Sequence, residues 1–124
     1  MAAVMVAARR GWFDSYAWVV RANPDVRIED ASFLAARLRK PTVDAVLVRC
    51  RPRAPSICTD FFAARPAAFN HSAWGRSRKK NGRVNNELSA YNVFRSAIEG
   101  GRAMPRTVNG TGHTGPSEFC ATSI

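Results

Sequence analysis

The stretch TVDAVLVRC, residues 42–50, decides how this chain is read, because it fits two structures. Val43, Val46, Leu47 and Cys50 fall at the i, i+3, i+4, i+7 spacing of a helical face, and Thr42 stands where a helix would be capped. The same residues are β-branched enough to make a strand. Strict alternation fails at Arg49 and Cys50, so the period predicts a helix.

Upstream, Asp30 reads as the N-cap of ASFLAARLRK. Phe33, Leu34 and Leu38 fall on one side, Arg37, Arg39 and Lys40 suit the C-terminal dipole, and Pro41 ends the helix. Two helices joined by a tight KPT turn raise the question of a helix-turn-helix. A recognition helix carries polar and basic residues near its N-terminus. Asp44 and Ala45 stand there instead, so an ordinary helical hairpin over 31–50 is expected and sequence-specific DNA reading is disfavoured.

Residues 2–9 read as a short helix ending near Gly11, and Asp14 as the cap of a helix over 15–22 that carries Tyr16, Trp18, Val19 and Val20. CRPRAP, from Cys50 to Pro55, reads as an extended connector. Asp60 caps one short turn of FFAARPAAF, whose Phe61, Phe62 and Phe69 need burial in this core or in another subunit. GRSRKKNGR is a basic loop with Gly75 and Asn81-Gly82 as turn formers and Trp74 at its base. A helix over 87–99 follows, capped by Asn85 or Asn86 and stopped by Gly100 and Gly101. Its Leu88, Tyr91, Phe94 and Ile98 are expected to anchor the loop. The tail from 102 has many turn formers and little periodicity. The expected fold is mainly α, a small helical core with long irregular basic extensions and no extensive sheet. Its divisions are a helical region 1–50, a basic connector 51–86, an anchoring helix 87–101 and an extended tail 102–124.

The chain has 124 residues and a net charge of +10. Between Arg49 and Asn86 nine cations face one acid, Asp60: Arg49, Arg51, Arg53, Arg65, Arg76, Arg78, Lys79, Lys80 and Arg83. Such an excess attracts polyanions. Arginine outnumbers lysine heavily, which favours bidentate phosphate contacts and stacking on bases, although compositional bias enriches arginine too. The three cysteines, Cys50, Cys58 and Cys120, fit neither a disulfide framework nor paired zinc knuckles and read as free thiols in a reducing compartment. His71 and His113 are not at ligand spacing to them, so no metal and no cofactor is expected. No nucleophile elbow, phosphate loop or zinc-protease motif occurs, and the few acids are scattered, so no enzyme is expected. No run is long enough to cross a bilayer. The start, MAAVMVAARRGWF, is compatible with an arginine-bearing import segment and equally with an ordinary helix.

These features point to a non-catalytic structural subunit of a large ribonucleoprotein, with a mitochondrial ribosomal protein as the leading version. Its partners would be rRNA and neighbouring protein subunits, in the mitochondrial matrix or otherwise the cytoplasm. Arg49, Arg51, Arg53, Arg76, Arg78, Lys79, Lys80 and Arg83 would meet phosphates, and Trp74 would stack on a base or pack below the loop. The alternative is an architectural subunit of an all-protein assembly, a microtubule-associated lattice or a respiratory complex. There an acidic protein lattice would take the charges, and Trp12, Phe13, Trp18, Phe61, Phe62 and Phe119 would anchor in neighbours.

Overall fold

A computed structural model describes residues 1–24, 26, 28, 30–49, 55–79 and 81–107. Helix α1 spans Ala2–Arg9, strand β1 Val19–Ala22, helix α2 Ala31–Leu38, strand β2 Ala45–Arg49, strand β3 Phe61–Ala64, helix α3 Asn86–Glu99 and strand β4 Ala103–Thr107. Short 3₁₀ turns at Pro66–Ala68 and His71–Ala73 lie between β3 and α3. The strands form one mixed sheet in the order β1-β3-β2-β4, antiparallel at β1/β3 and β3/β2 and parallel at β2/β4. The protein is therefore mixed α/β, which overturns the mainly α expectation.

The reason lies in residues 45–48, every one of which is buried. Ala45 and Leu47 face α1 and α3, while Val46 and Val48 face the layer carrying α2. An inner strand covered on both faces has no polar side to alternate with, so the lack of a period-two pattern did not argue against it. β3 repeats the point: Phe61, Phe62, Ala63 and Ala64 are all fully buried, where one helical turn was expected. The segment expected to be a helix over 15–22 is instead a series of turns followed by edge strand β1, with Val19 half-buried and Val20 exposed. Residues 103–107 of the tail form the other edge of the sheet among the described strands. Residues 108–124 lie outside the described residues.

Three helices follow the sequence closely. α1 occupies the expected residues, with Met5 and Ala7 in the core. Asp30 Oδ1 accepts the Phe33 N–H at 2.7 Å to cap α2. Asn85 Oδ1 accepts the Leu88 N–H at 3.3 Å to cap α3. At the other end Gly101 takes φ 67°, and the Arg102 N–H reaches back to the Ala97 carbonyl at 2.8 Å, a Schellman closure.

Two cores result, one on each face of the sheet. Beneath α1 and α3, Phe62, Phe69 and Phe94 form a triangle with centroids 5.3–5.8 Å apart. Ala90 and Ala97 bring α3 close to the sheet, so alanine fills the thin places of this core. The buried face of α3 centres on Ala90, Val93, Phe94 and Ala97. Tyr91 and Ile98 pack at its border, and Leu88 is half-buried. The second core joins Leu34, Val43, Val46, Val48, Cys58, Phe61 and Ala63. Cys58 is disulfide-bonded, which corrects its reading as a free thiol; Cys50 and Cys120 lie outside the described residues.

Phe94→Ala should destabilise the protein by about 3–5 kcal/mol in urea unfolding, as a cavity is left under the sheet. Leu88→Ala should cost about 1 kcal/mol, since little of its surface leaves water. Equal losses would show that the helix presents a different face. Labelling the unfolded, unreduced protein with a thiol reagent should modify one of the three cysteines, and modification of all three would restore the free-thiol reading.

Candidate nucleic-acid interface

The basic segment folds as a small hairpin on α3. Gly75 takes φ 80° and turns the chain away from Trp74. Arg78 and Val84 then pair in an antiparallel bridge. The Lys79 N–H donates to the Arg83 carbonyl at 2.7 Å, and the Gly82 N–H to the Lys79 carbonyl at 2.9 Å. Gly82 itself takes φ 78°, as the tight turn requires. Asn81 Oδ1 accepts the Arg83 N–H at 3.2 Å.

Two bonds tie the base of the hairpin to the helix. The Asn85 N–H donates to the Ser77 carbonyl at 2.8 Å, and Asn92 Nδ2 donates to Ser77 Oγ at 2.9 Å. Trp74 is half-buried and packs against the first core, so its ring is a foundation under the hairpin. Arg76, Arg78, Lys79 and Arg83 all lie exposed. Arg78 Nη1 donates to the Gly82 carbonyl at 2.9 Å, which closes the turn and leaves its charge uncompensated.

The rest of the charge is arranged differently. Asp44 Oδ2 accepts from Arg102 Nε at 2.7 Å, and Asp44 Oδ1 lies 3.8 Å from Arg65 Nε. Glu99 takes Arg95 Nε at 2.7 Å, and that bond raises the guanidinium pKa. Asp60 Oδ1 accepts from Asn23 Nδ2 at 2.7 Å. Among the described residues no ion pair reaches Arg76, Arg78, Lys79 or Arg83.

Lys79 also shares a polar cleft of about 450 Å³ with Thr59, Asn85, Asn86 and Glu87, at the N-terminal end of α3. Arg49 ends β2 at this same end of the sheet, where the Cys58 N–H meets the Val48 carbonyl and the Ile57 N–H meets the Glu87 carbonyl. Arg49 is half-buried, and its Nε has no hydrogen-bond partner. Arg51, Arg53 and Lys80 lie outside the described residues. The structure thus brings Arg49 and the hairpin cations to one end of the domain.

Sequence reasoning missed a second cationic place. Arg21, expected in a helix, sits on β1 with its Nη1 buried and unpartnered. Burial, and then the charge of Arg21, lower the pKa of the Met1 amine. It also misjudged the aromatics. Phe61 and Phe62 are internal and cannot anchor a neighbour, whereas Trp12 and Tyr16 are exposed. Phe119 lies outside the described residues. No group of three or more potential metal ligands and no helix able to span a membrane occur among the described residues. No protein-family model, curated protein or solved structure gives a significant match to this chain.

In amide hydrogen exchange, Lys79, Gly82 and Asn85 should exchange more slowly than free peptide, because each N–H is bonded within the hairpin or to its base. Gly82→Ala should remove that protection locally at a cost of about 1–2 kcal/mol, since alanine is strained at positive φ. Free-peptide rates at all three amides in the unaltered protein would mean that the hairpin does not form.

Proposed function

We propose that this protein is a non-catalytic structural subunit of a large ribonucleoprotein and that its hairpin over residues 75–85 binds RNA phosphates. One observation carries the reading: four exposed cations sit on a structured hairpin and form no ion pair among the described residues, while Asp44 and Glu99 pair with arginines elsewhere. Pinning cations to a hairpin reduces the side-chain and backbone freedom that binding would otherwise have to remove. Arginine and lysine in that setting exchange counterions for phosphate, which makes affinity fall with salt. Arg49 would extend the cationic track along the same end of the sheet, with Arg51 and Arg53 following it in sequence.

The finer version is a mitochondrial ribosomal protein contacting rRNA, and it rests on the arginine-bearing N-terminus. Two features weigh on it. Met5 and Ala7 belong to the core, so removing residues 1–10 would open it. A disulfide at Cys58 belongs with an oxidising compartment more than with a reducing matrix. N-terminal sequencing of the protein from its native source decides whether that segment persists. The second reading, an architectural subunit of an all-protein assembly, draws on the exposed rings of Trp12 and Tyr16.

Replacing Arg76, Arg78, Lys79, Lys80 and Arg83 by glutamine should weaken RNA binding and lower the salt slope by roughly 3.5–4.5 if each meets one phosphate, at about 0.7–0.9 per phosphate neutralised. An unchanged slope would remove the hairpin from the interface. Sedimentation of the native protein with and without ribonuclease, with RNA assayed in each fraction, separates the two readings. A heavy peak that carries no RNA favours the protein assembly.

A further inference from the structure

After α1 the chain turns at Gly11 (φ 70°), where a Cβ would stand 2.8 Å from Asp14 Oδ2. Phe13 packs toward Phe69, their ring centroids 6.2 Å apart, while Trp12 lies in solvent. Trp12 is 60% exposed, Tyr16 62% and Val20 50%. Trp12, Phe13, Tyr16, Trp18 and Val19 border an open cleft of about 390 Å³ beside edge strand β1. Exposed aromatic surface gathered in one place marks a binding site more often than a free surface.

Charge selects the occupant. The Arg10 guanidinium lies 5.5 Å from the Trp12 ring centroid, and the Arg65 guanidinium 4.7 Å from that of Trp18. Arg9 is exposed nearby, and Asp14 is the one acid between Met1 and Asn23. Flat rings interleaved with guanidinium groups complement a chain that is both polyanionic and rich in flat faces. Arg65 is already engaged by Asp44 and the Val43 carbonyl, so the free cations here among the described residues are Arg9 and Arg10, and an apolar peptide would use the rings and leave those two idle. Duplex RNA would use the cations, but its base faces are stacked on one another.

We infer that Trp12, Tyr16 and Arg10 form a stacking platform for the unpaired bases of single-stranded RNA. This rests on the RNA-binding reading and deepens it: the hairpin takes phosphates of any RNA, and the platform selects unpaired strands. The two surfaces lie at opposite ends of the sheet. Trp18 and Val19 adjoin the Ala64–Ala45 end, and Lys79 and Thr59 the Val48–Cys58 end, so mutation can separate them.

The test uses the full chain with a fluorescein-labelled single-stranded oligouridylate and a duplex RNA of equal length. The double variant Trp12→Leu/Tyr16→Leu should bind the oligouridylate about tenfold more weakly. Its duplex affinity, salt slope and thermal midpoint should be unchanged, because both rings are already in solvent. Arg10→Gln should give a smaller loss in the same direction. Full oligouridylate affinity in the double variant, with loss in the hairpin variant, overturns the platform and leaves the RNA reading standing. A double variant that binds RNA normally but drops out of the native particle assigns the rings to a neighbouring protein and also overturns it. Failure of the unaltered protein to bind either RNA overturns both readings together.

Discussion

Burial of β3 between β1 and β2 is the constraint on which the rest of this structure depends. Phe62 points into the core under α1 and α3, where Phe69 and Phe94 meet it, and Phe61 points into the core that Leu34 of α2 closes. A fully buried phenylalanine contributes roughly 1.5–3 kcal/mol. The whole stability of a domain is about 5–15 kcal/mol. Two such side chains on opposite faces of one strand therefore hold both layers to the sheet. Without β3 in place, β1 has no strand to pair with, and α3 loses the ring that Phe94 packs on.

Electrostatics act on this frame as positioning more than as cohesion. Asp44 receives Arg102 and stands near Arg65, its N–H donates to the Arg102 carbonyl, and its carbonyl accepts the Arg65 N–H. It thereby joins the start of β2, the end of β3 and the start of β4. These side chains are partly exposed, so each pairing is worth about 1 kcal/mol or less. What they determine is which cations are occupied. Arg65 and Arg102 are drawn to one end of the sheet, and the hairpin cations at the other end form no ion pair among the described residues. The 19 cations are thus divided into some that the fold pairs with acids and others, those of the hairpin among them, that it holds toward solvent.

The hairpin and the aromatic cleft have different physical characters. One is a structured turn bearing charge, seated on α3 through Ser77 and Asn92. The other is a set of rings beside an unpaired strand edge, with arginines over two of them. A polyanion that also offers flat faces satisfies both with a single partner. An all-protein neighbour needs an acidic surface at one end of the domain and an apolar one at the other.

Much of this was legible along the chain. Asp30, Asn85 and the Gly100-Gly101 pair marked helix ends, because capping is a matter of a few adjacent residues. The cationic cluster and its turn formers were equally local. Which face of α3 is buried was read partly, at Phe94, because alanine and valine carry the rest of that face and stand out little by hydrophobicity. The sheet was missed for a physical reason. An inner strand shows neither alternation nor a helical period of its own, and Val43, Val46 and Leu47 match a helical face by coincidence of spacing. The sequence by itself determined where α1, α2 and α3 begin and end and how much charge the chain carries. Only the tertiary structure decided that AVLVR and FFAA are paired strands and which cations form no ion pair, because pairing and ion contacts are made between residues far apart in the chain.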